Sequence, residues 1–174
     1  MRCGIALGSN IADRLARLRE ARAAVGRLNL GASAPLVSPV YETEPVDCEP
    51  GSAPYLNAVM EIEYDGRPVV LLDALQQIES SLGRPSKRPR NSPRTIDLDI
   101  LYAGNLTLAN DEIVIPHPRL HSRRFVLQPL ADIRPDLILP GYDEPIPALL
   151  AKLPPNPIVT RVSDSWADPS GTIL

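Results

Sequence analysis

Aromatic side chains are nearly missing from this chain: one Trp, one Phe and five Tyr among 174 residues. Its core must therefore be built from Leu, Ile, Val and Ala. Cysteine is as sparse, and Cys3 and Cys48 are too isolated to suggest a disulfide framework or a zinc site. No apolar run approaches the roughly 18 residues of a membrane-spanning helix. The opening MRCGIALGSN is too short in apolar residues for a secretion signal. A net charge of −3 gives no bulk attraction to nucleic acid. There is no G-x-G-x-x-G and no Walker lysine, so Gly8-Ser9-Asn10 reads as a turn and helix cap rather than a phosphate cradle. These absences leave a soluble, cytoplasmic globular chain with neither a membrane nor a nucleic acid as partner.

Proline is what the chain has in excess: 20 residues against 10 glycines. Because proline fixes φ and donates no hydrogen bond, this predicts long, ordered, non-repetitive loops. The periodic segments between them are clear. Residues 3–7 read as a strand, and 11–28 as a helix carrying Ile11, Leu15, Leu18, Val25 and Leu28 on one side. Residues 35–46 read as an edge strand interrupted by Pro35 and Pro39. Residues 55–64 form a strand with Leu56, Ala58, Met60 and Ile62 on one face and Tyr55, Asn57, Val59, Glu61 and Glu63 on the other. A second helix spans 68–82, opened by Pro68 and closed by Gly83. Residues 95–102 are a strand. Short strands at 106–108 and 113–115 follow, then a helix over 125–133 interrupted by Pro129 and another over 146–153. Two βαβ units in succession predict an α+β fold, a ferredoxin-like α/β/α sandwich with helices packed on a mostly antiparallel sheet. One domain over 1–153 is expected, followed by an irregular tail over 154–174.

The chemistry concentrates around RTIDLDIL, residues 94–101. Residues two apart on a strand point the same way, so Asp97 and Asp99 share a face, with Cα atoms roughly 6–7 Å apart. They either face water or hold metal. Their separation suits Mg²⁺ ions about 3.5–4 Å apart. The preceding loop, GRPSKRPRNSPR, carries Arg84, Lys87, Arg88, Arg90 and Arg94 with no acid. Alone it is a solvated basic loop. Joined to two aspartates it supplies the cations that a polyphosphate bound with metal still requires. A third segment, IPHPRLHSRRF, gathers His117 and His121 with three arginines. Pro116 and Pro118 argue against the helix a zinc pair would use, which leaves an exposed polar loop or a second phosphate contact. Asn57, sharing a face with Tyr55, can donate and accept together, as the edge of a heterocycle requires, or can serve structure alone.

These segments occur together and in order with ALGSN, YETEPV, YLNAV, Gln76-x-x-Glu79, LGR and PHPRLHSRRFVLQPLADI. From about residue 3 to 140 the sequence resembles the 6-hydroxymethyl-7,8-dihydropterin pyrophosphokinases of folate biosynthesis. The resemblance implies a ferredoxin-like fold acting as a monomer. It implies transfer of pyrophosphate from ATP to the pterin hydroxymethyl group, by attack on the β-phosphorus with release of AMP. It also implies two Mg²⁺ ions, brought with ATP and held by Asp97 and Asp99. Arg84 and Arg94 match catalytic arginines on the triphosphate. Gln76, Glu79, Ile100, His117 and Arg123 match further positions around ATP. Thr43, Pro45, Val46, Tyr55, Asn57 and Phe125 match the pterin pocket, with Phe125 stacking on the ring. Asn91 and Ser92 replace an aromatic residue and a glycine found in many members, Ser86 replaces a loop arginine, and Pro118 departs from the family pattern. The rival readings are a palm-type nucleotidyltransferase or cyclase, and a non-catalytic domain binding RNA or protein through its basic loop.

Overall fold

The computed structural model describes residues 1–45, 53–84, 94–163 and 166. The elements run β1 (Arg2–Ser9), α1 (Arg14–Gly26), β2 (Leu36–Val37), β3 (Val40–Thr43), β4 (Tyr55–Glu63), α2 (Pro68–Ser81) and β5 (Asp97–Ala103). A small hairpin of β6 (Leu108–Ala109) and β7 (Val114–Ile115) follows, then a 3-10 turn at Leu120–Ser122, α3 (Arg124–Ile133), α4 (Ile146–Ala151) and β8 (Val159–Ser163). The main sheet has the order β5-β1-β4-β3-β8, with β2 paired to the far end of β4. Every pairing in it is antiparallel, as the α+β reading requires.

Each face of the sheet has its own core. Cys3, Ile5 and Leu7 of β1 meet Leu56, Ala58, Met60 and Ile62 of β4 and Leu98 and Ile100 of β5. Helices α1 and α2 cover this face with Leu18, Val25, Leu71 and Leu75. On the opposite face Val59, Leu101 and Tyr102 pack under Val126, Leu127 and Leu130 of α3 and Ile146 of α4. The predicted faces of β4 are therefore correct, but both are covered, and Glu61 is buried with the rest. Its carboxylate accepts from Tyr102 at 2.5 Å, Arg134 at 2.6 Å and Arg2 at 3.1 Å, so the buried charge is answered within the protein.

Two features of β5 lie beyond simple alternation. Ile100 stands opposite Ile5 and Tyr102 opposite Gly4, so Leu101 has no partner in β1. This one-residue slip is a β-bulge, and it puts Leu101 and Tyr102 on the same side. Gly4 leaves the space that the Tyr102 ring fills.

Several sequence expectations need correction. The cap of α1 is Asp13, whose Oδ1 accepts from Ala16 N at 3.0 Å, not Asn10. Helix α3 runs through Pro129 without a break, because its stripe of Val126, Leu127, Pro129 and Leu130 is buried against the sheet. Among the described residues, the stretch after residue 153 is not wholly irregular. Residues 159–163 add β8 to the open edge of β3, with Val159 opposite Thr43. Beyond it Trp166 is 1% exposed, donates to the Ser38 carbonyl at 2.7 Å and lies beneath Arg22. Four prolines in 154–174 masked this strand, whose β-branched residues supply the pairing propensity.

Replacing Trp166 by Ala is expected to cost about 3–5 kcal/mol of stability, the range for deleting a large buried aromatic. Urea unfolding followed by far-UV circular dichroism measures this; a loss below about 1 kcal/mol would remove Trp166 from the core.

Candidate active site

A cavity of about 590 Å³ opens on the face of the sheet that α3 covers. Its floor is made by three adjacent strands: Ala6 and Gly8 of β1, Asn57 of β4, and Asp97 and Asp99 of the edge strand β5. Gly8 keeps the floor low, since a Cβ there would approach Asn57 Oδ1 to 3.3 Å. Gln76 and Glu79 of α2 and the loop arginines Arg84 and Arg94 border one side. His117, Arg119, Arg123 and Phe125 form the roof, and Thr43, Glu44 and Tyr55 close the end toward β3.

The cations and carboxylates are interlocked. Arg84 donates to Asp97 Oδ1 at 2.8 Å and to Glu79, while Arg94 donates to Asp97 Oδ2. Glu79 also accepts from Leu98 N at 2.7 Å, which ties α2 to the start of β5. Burial pushes the Glu79 carboxyl up to about 7, although the Leu98 N–H and Arg84 both oppose the shift. Among the described residues Asp99 has one ion-pair partner, Arg123 at 3.9 Å, and it keeps 41% of its side chain open to solvent. The enclosing walls, and then the charge of Asp97, raise its carboxyl above the usual range. The pair therefore holds negative charge that the surrounding arginines answer unevenly.

That arrangement fits a hard divalent cation. Two neighbouring carboxylates with an open side are oxygen donors of the kind Mg²⁺ takes. Among the described residues no group of three or more His, Cys, Asp or Glu could hold a metal. Mg²⁺ commonly takes one or two carboxylates together with water and phosphate oxygens.

The roof is fixed through backbone. His117 N donates to the Leu101 carbonyl of β5 at 2.8 Å. Its Nδ1 accepts from Arg119 N at 3.1 Å, which leaves the ring proton on Nε2. Arg123 lies 5.5 Å from the centre of the Phe125 ring. At the other end Asn57 Nδ2 donates to Thr43 Oγ1 at 2.5 Å, so these two side chains are mutually oriented.

The structure brings Arg84, Arg94, Asp97, Asp99, Gln76, Glu79, His117, Arg123, Thr43, Tyr55, Asn57 and Phe125 to this one cavity. Ile100 is not among its lining residues. Strand alternation turns its side chain to the α1–α2 core, where it is 5% exposed. Pro45 is half-buried but does not line the cavity, and Val46 lies outside the described residues. So do Ser86, Lys87, Arg88, Arg90, Asn91 and Ser92.

Sequence reasoning missed Asn10. Its Oδ1 accepts from Arg94 N at 2.6 Å and its own N donates to the Arg94 carbonyl at 3.1 Å, while Ser9 Oγ donates to the Thr95 carbonyl at 2.6 Å. The turn after β1 thus holds the backbone of a cavity arginine 84 residues away. In sequence it looks like any cap. Arg119 and Arg124, two of the three arginines of IPHPRLHSRRF, also line the cavity, as does Pro157, which nothing in its local pattern marked.

The family model for 7,8-dihydro-6-hydroxymethylpterin-pyrophosphokinase (HPPK) matches residues 4–135. A 2-amino-4-hydroxy-6-hydroxymethyldihydropteridine pyrophosphokinase of Bacillus subtilis is 44% identical over 129 residues, covering 74% of this chain and 75% of that protein. The protein of the same name from Haemophilus influenzae is 42% identical over 138 residues, covering 79% and 84%. Among solved structures, wild-type Plasmodium falciparum HPPK-DHPS with pteroate superposes with a TM-score of 0.66 at 14% identity, over 87% of this chain. This chain spans 42% of that longer one, so that likeness speaks for the fold alone.

His117 is half-buried, and desolvation, then the nearby Arg123 and Arg119, push its pKa down to about 4. Between the ordinary imidazole value near 6.5 and about 4, the unfolded chain binds a proton that the folded one refuses. Stability is therefore expected to fall as pH drops through that window. An NMR titration of the His117 ring should place its midpoint near 4, and a midpoint near 6.5 would contradict the burial argument.

Proposed function

This chain belongs to the 7,8-dihydro-6-hydroxymethylpterin-pyrophosphokinase family, and on that premise we propose how its cavity divides the reaction among its residues. The enzyme is an ATP-dependent diphosphotransferase of folate synthesis. It moves pyrophosphate from ATP to the hydroxymethyl group of 6-hydroxymethyl-7,8-dihydropterin. The hydroxyl oxygen gives up its proton to water and forms a bond to the β-phosphorus, the bond from that phosphorus to the α-β bridging oxygen breaks, and AMP leaves.

Asp97 and Asp99 would hold Mg²⁺, two ions in our reading, arriving with ATP. When bound, the cations lower the pKa of the attacking hydroxyl and offset phosphate charge. Asp97 already holds Arg84 and Arg94 on its two oxygens. Phosphate oxygens offer these guanidiniums a better partner, so ATP draws the arginines off and frees Asp97. Glu79, bonded to Leu98 N, then keeps the start of β5 in place. Arg123 and the Nε2 proton of His117 face the phosphates from the roof, and Gln76 borders the nucleotide at the mouth. These donors stabilise charge where it develops on the transferred group and on departing AMP. Among the described residues no cavity side chain acts as a strong base, so positioning supplies much of the rate.

The pterin lies toward β3. Asn57, oriented by Thr43, addresses the polar edge of the ring, Phe125 stacks on one of its faces and Tyr55 borders it. The resemblance adds Pro45 and Val46 to the pterin contacts and Ile100 to those of ATP. We read residues 1–153 together with β8 and Trp166 as one catalytic domain, acting as a cytoplasmic monomer. Among the described residues no helix is long and apolar enough to cross a membrane.

The observation that carries this assignment is the carboxylate pair rimmed by Arg84, Arg94 and Arg123 on the floor of a single cavity. With ATP, Mg²⁺ and the hydroxymethyl-dihydropterin, AMP and pterin pyrophosphate should appear in equal amounts. Asp97→Ala and Asp99→Ala should each lower kcat by about 100-fold or more. AMP formation near the wild-type rate in either variant would overturn the metal assignment.

A further inference from the structure

Pro157 lines the cavity together with Thr43, Tyr55 and Phe125, yet it lies beyond residues 4–135 that carry the family match. Residues 154–158 are held at both ends, and each anchor is itself a wall of the cavity. At one end Arg124, the first residue of α3, donates from Nε to the Pro154 carbonyl at 2.9 Å and from Nη2 to the Leu153 carbonyl at 2.8 Å. It stands between Arg123 and Phe125 and also lines the cavity. At the other end β8 begins, with Val159 opposite Thr43 and Thr160 opposite Glu42. The placement of Pro157 is thus coupled to Phe125 through Arg124 and to Thr43 through the sheet.

The chemistry of the segment matches that position. Ile158 is 64% exposed while Pro157 is half-buried, and what the proline ring meets is the cavity. A proline offers carbon only and has no N–H to satisfy. It is an apolar edge that loses almost no side-chain entropy when a ligand packs against it.

We propose that residues 154–158 form a preset outer wall for the pterin end of the cavity. Pro157 is a specificity-determining contact for the heterocycle, and Arg124 is the positioning residue that sets it. This rests on the reading that the Thr43, Asn57 and Phe125 end takes the pterin. A wall fixed in advance raises affinity by reducing the ordering cost of binding. It should therefore act on pterin affinity and leave ATP affinity and the chemical step largely alone.

The test is steady-state kinetics on the full chain with Pro157→Ala, Pro157→Gly, Arg124→Met and the pair Arg124→Met/Pro157→Gly, each checked for an unchanged melting temperature. Pro157→Gly and Arg124→Met are expected to raise the pterin KM about fivefold or more, with Pro157→Ala intermediate. ATP KM and kcat should stay within about twofold to threefold. The double variant should show no larger rise than the single ones, because Arg124 acts through Pro157. Asn57→Ala serves as the reference for the pterin end. If it raises the pterin KM while the Pro157 and Arg124 variants do not, the wall is refuted and the pterin reading stands. If none of them changes the pterin KM, the reading of that end falls and the wall falls with it. A rise confined to the ATP KM also overturns the proposal.

Discussion

The cavity exists because β1, which lies between β5 and β4, carries almost no side chain on one face. Along β1, Cys3, Ile5 and Leu7 point to the α1–α2 core and are fully buried there. The alternate positions are Gly4, Ala6 and Gly8. Gly4 yields its space to Tyr102, while Ala6 and Gly8 form the cavity floor. A larger residue at either floor position would fill the volume over which Asp97, Asp99 and Asn57 look toward one another. Sheet register then does the rest. Antiparallel pairing sets Gly8 opposite both Asn57 and Asp97, so the polar residues of β4 and β5 flank the same gap.

From this floor the electrostatics follow. Carboxylates at the edge of an open cleft are desolvated without being sealed, and their repulsion raises the protonation threshold of Asp99. Arginines from two directions relieve part of it. Arg84 follows the end of α2, and Arg94 is held by the turn after β1, so the charge balance depends on three elements distant in sequence. His117 stays neutral above them because desolvation, and then Arg123 and Arg119, disfavour its charged form. A neutral imidazole that donates from Nε2 can bind phosphate without adding to the crowding of cations.

Much of this was legible in RTIDLDIL and its flanks. Period-two alternation put Asp97 and Asp99 on one face, and Tyr55 and Asn57 on one face of β4, with no knowledge of the partner strands. What alternation cannot show is an interruption of itself. The slip at Leu101 arises from pairing with β1 and from the size of Tyr102. Ile100 was assigned to the nucleotide by resemblance, whereas its parity sends its side chain to the core. The tail was misread because proline content outweighed a short β-branched run, and because an edge strand needs a waiting partner that no local window contains. Asn10 shows the same limit: a polar residue after a strand serves a cap or a distant backbone, and only the fold distinguishes them. The alternation of small and large residues in CGIALG was a usable sign of the floor, since a buried strand seldom spends every second position on Gly or Ala without a close neighbour.

The bulge in β5 acts as a phase shift between two electrical regimes. In a regular strand Tyr102 would point with Leu98 and Ile100 into hydrocarbon, and Glu61 would lose its phenol. With the shift, the sheet face that bears Asp97 and Asp99 at one end bears Glu61 at the other, bonded to Tyr102, Arg134 and Arg2. One end is self-neutralised and closed to solvent. The other is left incomplete and open. The same surface is thus an insulator at one end and a socket at the other, and a single unpaired residue separates them.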